Sequence, residues 1–258
     1  MDLAKDKIFD LIIVGAGMMG SAAARHASLI PNTSVCLIGP QEPKIRKGHQ
    51  IFGCWFDEGR ICRRVSAMHT WSNLATHSIA RFRDLEDDTG INFYTESGYM
   101  DINPSQEEFN EMMEASHKAG LAAKDISQSW KEKFPYFNIS KDKYVMLEEE
   151  NAGHINPRAL VSAQQTAAHL HGAYIIRDIV ETIKPAEKNK EKVRWLVVTE
   201  SGKELQGNNV LVAAGGFAGL KHLFASVAPR RQPALQLRTQ TIAFLKLPQE
   251  EVKRLRQS

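Results

Sequence analysis

The sequence has few cysteines, and none of them are paired at the spacing of a metal or redox site. Cys36, Cys54 and Cys62 are the only three in 258 residues, and no CxxC motif occurs. An odd number without paired spacing excludes a disulfide framework and a thiolate zinc site as organising features. We therefore expect a reducing compartment, the cytoplasm, and no bound metal.

The sequence also lacks a strong charge bias and a long apolar run. Its 33 Lys and Arg residues against 30 Asp and Glu residues leave a formal net charge of +3. The basic residues are scattered, whereas nucleic-acid or membrane-surface binding needs a basic stripe or cluster. The apolar segment 11–24 follows acidic residues and is interrupted by glycines, which argues against a secretion signal. We therefore expect neither nucleic acid nor a membrane among the partners.

A glycine-rich motif stands out within this ordinary composition. An apolar strand at 11–14 leads into Gly15-Ala-Gly17-Met-Met-Gly20, and a helix rich in small residues follows. In a dinucleotide-binding βαβ unit, the first glycine permits a tight turn and the second lets the backbone approach a pyrophosphate. The third packs helix against strand, and the helix N-terminus holds the pyrophosphate. The motif predicts a nucleotide site, with a merely structural turn as the alternative.

The rest of the chain alternates short apolar segments with segments of helical spacing. Residues 33–38 predict the second strand, and 60–88 repeat apolar residues at helical spacing, with Gly90 as the stop. The methionines of the helix predicted at 105–119 are interpreted as core residues and not as a metal or flavin motif. Further helices are predicted at 127–133 and 158–170, and further strands at 93–100, 144–147, 174–176, 179–183, 193–199 and 210–214.

Two acidic positions need interpretation. In the nucleotide-binding motif an acid near the end of the second strand usually binds a ribose hydroxyl, but Gly39 occupies that place. Glu42 is close enough in sequence to substitute, and a solvated loop glutamate is the alternative. The acidic run 148–150 follows a predicted strand and is interpreted as a solvated turn.

Four segments, taken in order, resemble the FAD-dependent oxidoreductases of the D-amino-acid, glycine and sarcosine oxidase type. They are GAGMMG at 15–20, FDEGRICR at 56–63, GHINPRALVSAQQTAAHLHGAYI at 153–175 and VLVAAGGFA at 210–218. The resemblance covers about 9–247, nearly the whole chain. It implies an α/β fold: a doubly wound FAD-binding domain of the glutathione-reductase-like Rossmann type, with an incomplete α+β substrate domain.

The resemblance also implies how the domains are divided along the chain. Discontinuous FAD-binding segments are expected at about 9–66, 150–185 and 205–228. Parts of the substrate domain are expected at about 90–147 and 234–247, followed by a tail at 248–258.

The cofactor residues implied by the resemblance surround the glycine motif. Gly15, Gly17 and Gly20 would hold the FAD pyrophosphate, Val180 would meet the adenine through its backbone, and Ala214-Gly215 would close the nucleotide cleft. The full set of expected FAD-binding residues is Val14, Gly15, Gly17, Met18, Met19, Gly20, Gly39, Arg60, Val180, Ala214 and Gly215.

Arg60 and Arg63 match the R-x-x-R stretch of the family. In its sarcosine-oxidase branch the first arginine lies near the flavin and the second grips the substrate carboxylate, which a planar guanidinium can meet with two hydrogen bonds. If 59–67 is helical, the two arginines share a face; an extended strand would send them to opposite sides. Simple solvation of these arginines is the alternative.

The sequence departs from the family in two further places. Cys54-Trp55-Phe56 stands where the sarcosine-oxidase branch carries small and polar residues including a histidine, which predicts a different flavin-facing pocket. Family members continue well past the point that matches Leu247. We therefore expect the rest of the substrate sheet, the flavin-ring loop and any cysteine that attaches FAD to lie beyond Ser258.

The function implied by the resemblance is oxidation of a small amine or amino acid by hydride transfer to FAD. No catalytic acid or base is assigned, since the cofactor carries the difficult step. Two alternatives stay open. One is an NAD-dependent dehydrogenase that shares only the glycine motif, and the other is a catalytically impaired FAD-binding fragment that binds FAD weakly.

Overall fold

The computed structural model describes residues 7–42, 53–186, 193–220 and 245–256, together with residues 223, 225–227, 235, 236, 238 and 243. The strands in this part of the chain are β1 (Ile8–Val14), β2 (Val35–Ile38), β3 (Arg60–Cys62), β4 (Tyr94–Glu96), β5 (Tyr99–Asn103), β6 (Lys124–Asp125), β7 (Tyr144–Glu148), β8 (Gly153–Ile155), β9 (Tyr174–Ile176), β10 (Val180–Pro185), β11 (Trp195–Thr199) and β12 (Glu204–Val212). The helices are α1 (Met18–Ser28), α2 (His69–Ile79), α3 (Phe82–Thr89), α4 (Gln106–Lys118), α5 (Trp130–Lys133), α6 (Pro157–Leu170), α7 (Phe217–Leu220) and α8 (Gln249–Arg256).

The chain divides into two compact units built from interleaved segments. The first unit comprises 1–59, 84–93 and 156–237, and the second comprises 60–83, 94–155 and 238–258. The first unit contains a six-stranded sheet, and the second contains two three-stranded sheets. Among the described residues no helix combines the length and apolar character needed to cross a membrane.

The sheet of the first unit has the strand order β10-β11-β12-β1-β2-β9. The four strands from β12 to β9 run parallel, while β10 and β11 form antiparallel pairs at one edge. This arrangement confirms the α/β class with a parallel sheet. Because β1 is paired with β12 on one side and β2 on the other, the end of β1 is the topological switch point at which such sheets bind ligands.

Both faces of β1 are buried, as expected for a central parallel strand. Ile12 and Val14 pack into one core with strands of the antiparallel edge, and Ile13 packs into a second core on the opposite face. The second core includes Ala24 of α1 and Ala168 of α6. These small side chains let the two helices lie closely against each other and against the sheet, so the start of α1 is held firmly at the end of β1.

The second unit has a core of its own. Phe109 of α4 packs against Met146 of β7, and Met112 and Met113 pack against the same cluster. Ser105 caps α4 by accepting a hydrogen bond from the Glu108 N–H at 3.2 Å. The interpretation of these methionines as core residues is therefore confirmed.

The prediction of a helix beginning at residue 60 is wrong for the residues before His69. Arg60–Cys62 forms β3, which pairs antiparallel with β8, and the helices begin only at His69 and Phe82. Pairing with a distant strand outweighs the local helical spacing, because it satisfies the backbone hydrogen bonds of this segment. Gly90 ends α3 with φ of +68°, the left-handed conformation that favours glycine, so the predicted stop is confirmed.

The predicted helix near 158–170 is confirmed as α6. Pro157 occupies its first turn, and the Asn156 side chain accepts a hydrogen bond from the Ala159 N–H at 3.1 Å. The further sheet expected at 234–247 falls largely on residues outside the described part, and the described residues of that stretch belong to no strand.

Candidate nucleotide-binding site

The glycine motif forms the turn from β1 into α1. Gly15 has φ of +109°, and a Cβ there would lie 2.4 Å from the Ala213 carbonyl oxygen. A Cβ on Gly20 would lie 1.7 Å from the Gly15 carbonyl oxygen, closer than any real contact. Both glycines are therefore required by this turn, because a side chain at either position would push the ends of β1, β12 and α1 apart.

The N-cap residue of α1 provides no side-chain cap. Gly17 is the N-cap residue and provides no side-chain hydrogen bond, and the first turn contains no acidic residue. The N–H groups at the start of a helix have no partner within the helix and carry the positive end of its dipole. Their natural partner is an anionic group, so this end of α1 fits the pyrophosphate of a dinucleotide.

A cleft of about 220 Å³ opens beside this turn within the first unit. All the predicted cofactor-binding residues line it, with the exception of Gly20 and Arg60. The structure thus brings the end of β1, the end of β2, the start of β10 and the loop after β12 to one place. Asp178 and Ile179 also line the cleft and are not predicted from the sequence, and Trp55 is predicted only as part of the segment that changes the flavin-facing pocket.

Asp178 lies at the cleft with its carboxylate engaged. Burial tends to raise the pKa of Asp178, but hydrogen bonds from Ser201, Thr199 and the Ile179 N–H outweigh it and hold the pKa below its ordinary value. The group is therefore an anion at neutral pH, and its bonds orient the backbone that leads into Val180.

Gly39 is positioned too tightly to be replaced by the usual ribose-binding acid. A Cβ at Gly39 would lie 2.5 Å from the Ala16 Cβ and 2.6 Å from the Ala16 nitrogen, and the Gly39 N–H donates to the Ile176 carbonyl at 3.1 Å. Glu42 is not a simple solvated residue, because its carboxylate is partly buried and forms an ion pair with Arg158. The departure from the family at Gly39 thus follows from how closely β2 approaches the motif.

Gly39→Glu is expected to lower the free energy of unfolding by about 2 kcal/mol and to leave affinity for an adenosine nucleotide no better than before. The added side chain would collide with Ala16 before its carboxylate could reach a ribose. Gln41→Glu places the same charge on an exposed residue of the cleft and is expected to change stability by no more than about 0.5 kcal/mol. Urea unfolding compares the two variants, and equal midpoints would contradict this account of Gly39.

A buried polar network beneath the turn was not predicted. The Gln165 side-chain amide, on α6, donates to the Ala16 carbonyl at 2.9 Å and to the Ser21 hydroxyl at 3.1 Å. Ser21 donates to the same carbonyl, and Arg177 donates to the Gln165 side-chain oxygen at 2.7 Å. Burial lowers the pKa of Arg177. The sequence feature that pointed to this network is Gln165 itself, a polar residue on a helix face of mostly small and apolar side chains.

The two predicted arginines of the R-x-x-R stretch belong to the second unit. Arg60 lies on β3 opposite Ile155, and Arg63 follows the end of that strand. The shared helical face considered for them does not exist, because the segment is extended. The Arg63 guanidinium lies 4.9 Å from the centroid of the Tyr99 ring and donates to the Val65 carbonyl.

The interpretation of the acidic run 148–150 as a solvated turn is wrong for Glu148, whereas Glu150 is exposed. Glu148 ends β7, its side chain is 1% exposed, and it accepts a hydrogen bond from Arg64 Nε at 2.7 Å. The backbone N–H groups of Arg64 and Val65 also donate to it, at 3.1 and 3.3 Å. Glu148 therefore fixes the chain immediately after Arg63.

The three cysteines differ in environment, and none forms a disulfide. Burial raises the pKa of Cys36 to about 12 and that of Cys62 to about 11, so both stay protonated thiols at neutral pH. Cys54 is exposed and lines the cleft. A thiol reagent at neutral pH should therefore report on Cys54.

Comparisons with known proteins agree with the fold. A family model described as FAD dependent oxidoreductase (DAO) matches residues 10–257. A probable sarcosine oxidase of Arabidopsis thaliana is 27% identical over 249 residues, and the alignment covers 96% of this chain and 58% of that protein. An uncharacterised oxidoreductase of Bacillus subtilis, YurR, is 26% identical over 221 residues, which cover 80% of this chain and 55% of that protein. The chain spans about half the length of these curated relatives.

Solved structures share the fold at lower identity. An L-proline dehydrogenase from P. horikoshii has a TM-score of 0.69 at 19% identity, with 87% of this chain and 57% of that chain covered. A glycine oxidase from Bacillus cereus has a TM-score of 0.62 at 22% identity, with coverages of 84% and 57%.

Proposed function

Because the chain belongs to the DAO family of FAD-dependent oxidoreductases, we propose that it forms the nucleotide-binding part of an enzyme that oxidises a small amine or amino acid. The observation that carries this proposal is the cleft at the end of β1, where the glycine turn meets a helix N-terminus whose N-cap residue, Gly17, has no side chain. The relatives named for sarcosine, glycine and L-proline support an amine or amino acid as the substrate class.

Each side of the cleft has a role in this proposal. Gly15, Gly17 and Gly20 bring the backbone and the α1 N–H groups to the FAD pyrophosphate. The backbone at Val180 meets the adenine, and Ala214-Gly215 closes the cleft from the loop after β12. When bound, FAD supplies the hydride acceptor for oxidation of the carbon that bears the substrate nitrogen.

The arginines complete the proposal on the substrate side. Arg63 binds the substrate carboxylate: a guanidinium has five N–H groups, so the bond to the Val65 carbonyl leaves others for a carboxylate. Packing on the Tyr99 ring restricts the orientation of the Arg63 guanidinium plane, so the substrate carboxylate would meet it from a defined direction. Arg60 lies near the flavin in this proposal.

We expect the purified chain to bind FAD weakly and reversibly, and we expect ADP to displace it. Both ligands carry the ADP portion that the cleft would hold, and the weakness follows because the chain spans about half of its relatives' length. Flavin absorption after gel filtration and a fluorescence titration with FAD measure the binding. Retention of NAD with no affinity for FAD would favour the dehydrogenase alternative, and tight stoichiometric FAD with peroxide formation from an amino acid would contradict the weak-binding expectation.

Alkylation of Cys54 shows whether FAD occupies this cleft. The rate of Cys54 modification should fall in proportion to the fraction of chain that has bound FAD, because the residue lines the cleft. Cys36 and Cys62 serve as internal controls, since their raised pKa values keep them unreactive with or without FAD. Unchanged Cys54 modification at saturating FAD would place the cofactor elsewhere.

A further inference from the structure

Trp55 lies against the glycine motif inside the cleft. The residue is 7% exposed and contributes to the lining. A Cβ on Gly17 would lie 3.2 Å from Trp55 Cδ1 and 3.4 Å from Nε1, and one on Gly53 would lie 2.5 and 2.6 Å from the same atoms. The nitrogen-bearing edge of the indole therefore fits between two glycines, beside the N-cap of α1.

Among the residues that the structure describes, no hydrogen bond from the Trp55 indole N–H is found, and its nitrogen is not fully buried, so it is open to the cleft. An indole nitrogen is a donor only, so it cannot pair with the helix N–H groups beside it, which are donors as well. The ring is mostly buried, so its nitrogen can reach an acceptor only from the cleft side, and tryptophan nitrogens in such positions usually find a partner. An anion at the start of α1 would satisfy the indole and the helix together.

The segment that carries Trp55 is braced by α6 within the same unit. The Trp55 and Phe56 rings meet edge to face with centroids 6.2 Å apart, and the Arg158 guanidinium lies 4.9 Å from the Phe56 ring centroid. Arg158 also pairs with Glu58 at 3.1 Å and with Glu42. These contacts hold the indole at the motif without using its nitrogen, so the N–H stays available to a ligand.

We propose that Trp55 donates its indole hydrogen bond to the pyrophosphate of the nucleotide bound at the N-terminus of α1. The proposal rests on the proposed function, since it concerns the same cleft. The proposal gives a binding role to Cys54-Trp55-Phe56, the segment in which the sequence departs from the family. In this role Trp55 adds a side-chain donor to the backbone donors of the glycine motif.

ADP is the probe that tests this donor, because it carries the pyrophosphate and has no flavin ring to quench tryptophans at a distance. In the wild-type chain, ADP is expected to shift the tryptophan emission, whereas adenosine, which lacks phosphates, is expected to cause no shift. Trp55→Phe keeps an aromatic ring but removes the N–H. It is expected to abolish the shift and weaken ADP binding by about tenfold or more, as for a hydrogen bond to a charged group. Trp71→Phe is the control, since Trp71 is 60% exposed in the second unit.

The outcomes separate the two proposals. If neither ADP nor FAD binds the wild-type chain, the proposed function fails. If both bind, but Trp55→Phe keeps wild-type ADP affinity and the emission shift, the role of Trp55 is overturned while the proposed function stands. Adenosine shifting the emission of the wild-type chain as strongly as ADP also overturns it, and this comparison needs no variant to fold.

Discussion

Gly20→Ala is expected to lower the free energy of unfolding by about 3 kcal/mol or more and to abolish measurable FAD binding. The added methyl group would lie 1.7 Å from the Gly15 carbonyl oxygen, so either α1 or the turn must move. Movement of either displaces the helix N–H groups from the position proposed for the pyrophosphate. Urea unfolding measures the stability, and a fluorescence titration measures FAD affinity.

Gly59→Ala is the matched control for this substitution. Gly59 has no atom within 4 Å of its ideal Cβ and does not adopt a positive φ, so alanine is expected to change stability by no more than about 0.5 kcal/mol. A Gly20→Ala variant that unfolds at the wild-type urea concentration and keeps its FAD affinity would show that the turn is not packed as described.

Glu148→Ala is expected to destabilise the chain by about 3 to 5 kcal/mol. Its carboxylate is buried at 1% exposure and is the acceptor for Arg64 Nε and for two backbone N–H groups. Removing it leaves a guanidinium that is 17% exposed without its charge partner. The effect should appear in urea or thermal unfolding.

A double substitution separates loss of the ion pair from loss of packing. Glu148→Leu combined with Arg64→Met removes both charges and should recover part of the stability lost in Glu148→Ala. Glu150→Ala is the control, because that exposed side chain lies in the same acidic run and should cost no more than about 0.5 kcal/mol. A double variant less stable than Glu148→Ala would show that the charge pair itself contributes little.

Local patterns were sufficient for the elements whose determinants lie close together in the chain. The turn at Gly15, the helix near 158–170 and the stop at Gly90 were all predicted, since each depends on residues close together in the chain. The resemblance to FAD-dependent oxidoreductases rested on such local segments, and the family comparison bears it out.

Features that depend on distant residues were missed or misjudged. β3 was interpreted as helix because its strand partner, β8, lies about ninety residues later in the chain. Glu148 was interpreted as solvated because its partner Arg64 is 84 positions away. The bond from Gln165 to the Ala16 carbonyl spans 149 positions, beyond the reach of any periodicity in one segment.

The α/β class followed from the resemblance of several segments to one family. By itself, the sequence determined where the glycine turn, the stop at Gly90 and the helix near 158–170 lie. These properties are local, because positive φ, helix capping and apolar alternation depend on neighbouring residues. Only the tertiary structure decided that Trp55 joins that turn, that Gly39 has no room for an acid and that Glu148 is buried. Each of these depends on how closely two distant segments approach, and such distances follow from the packing of the whole unit.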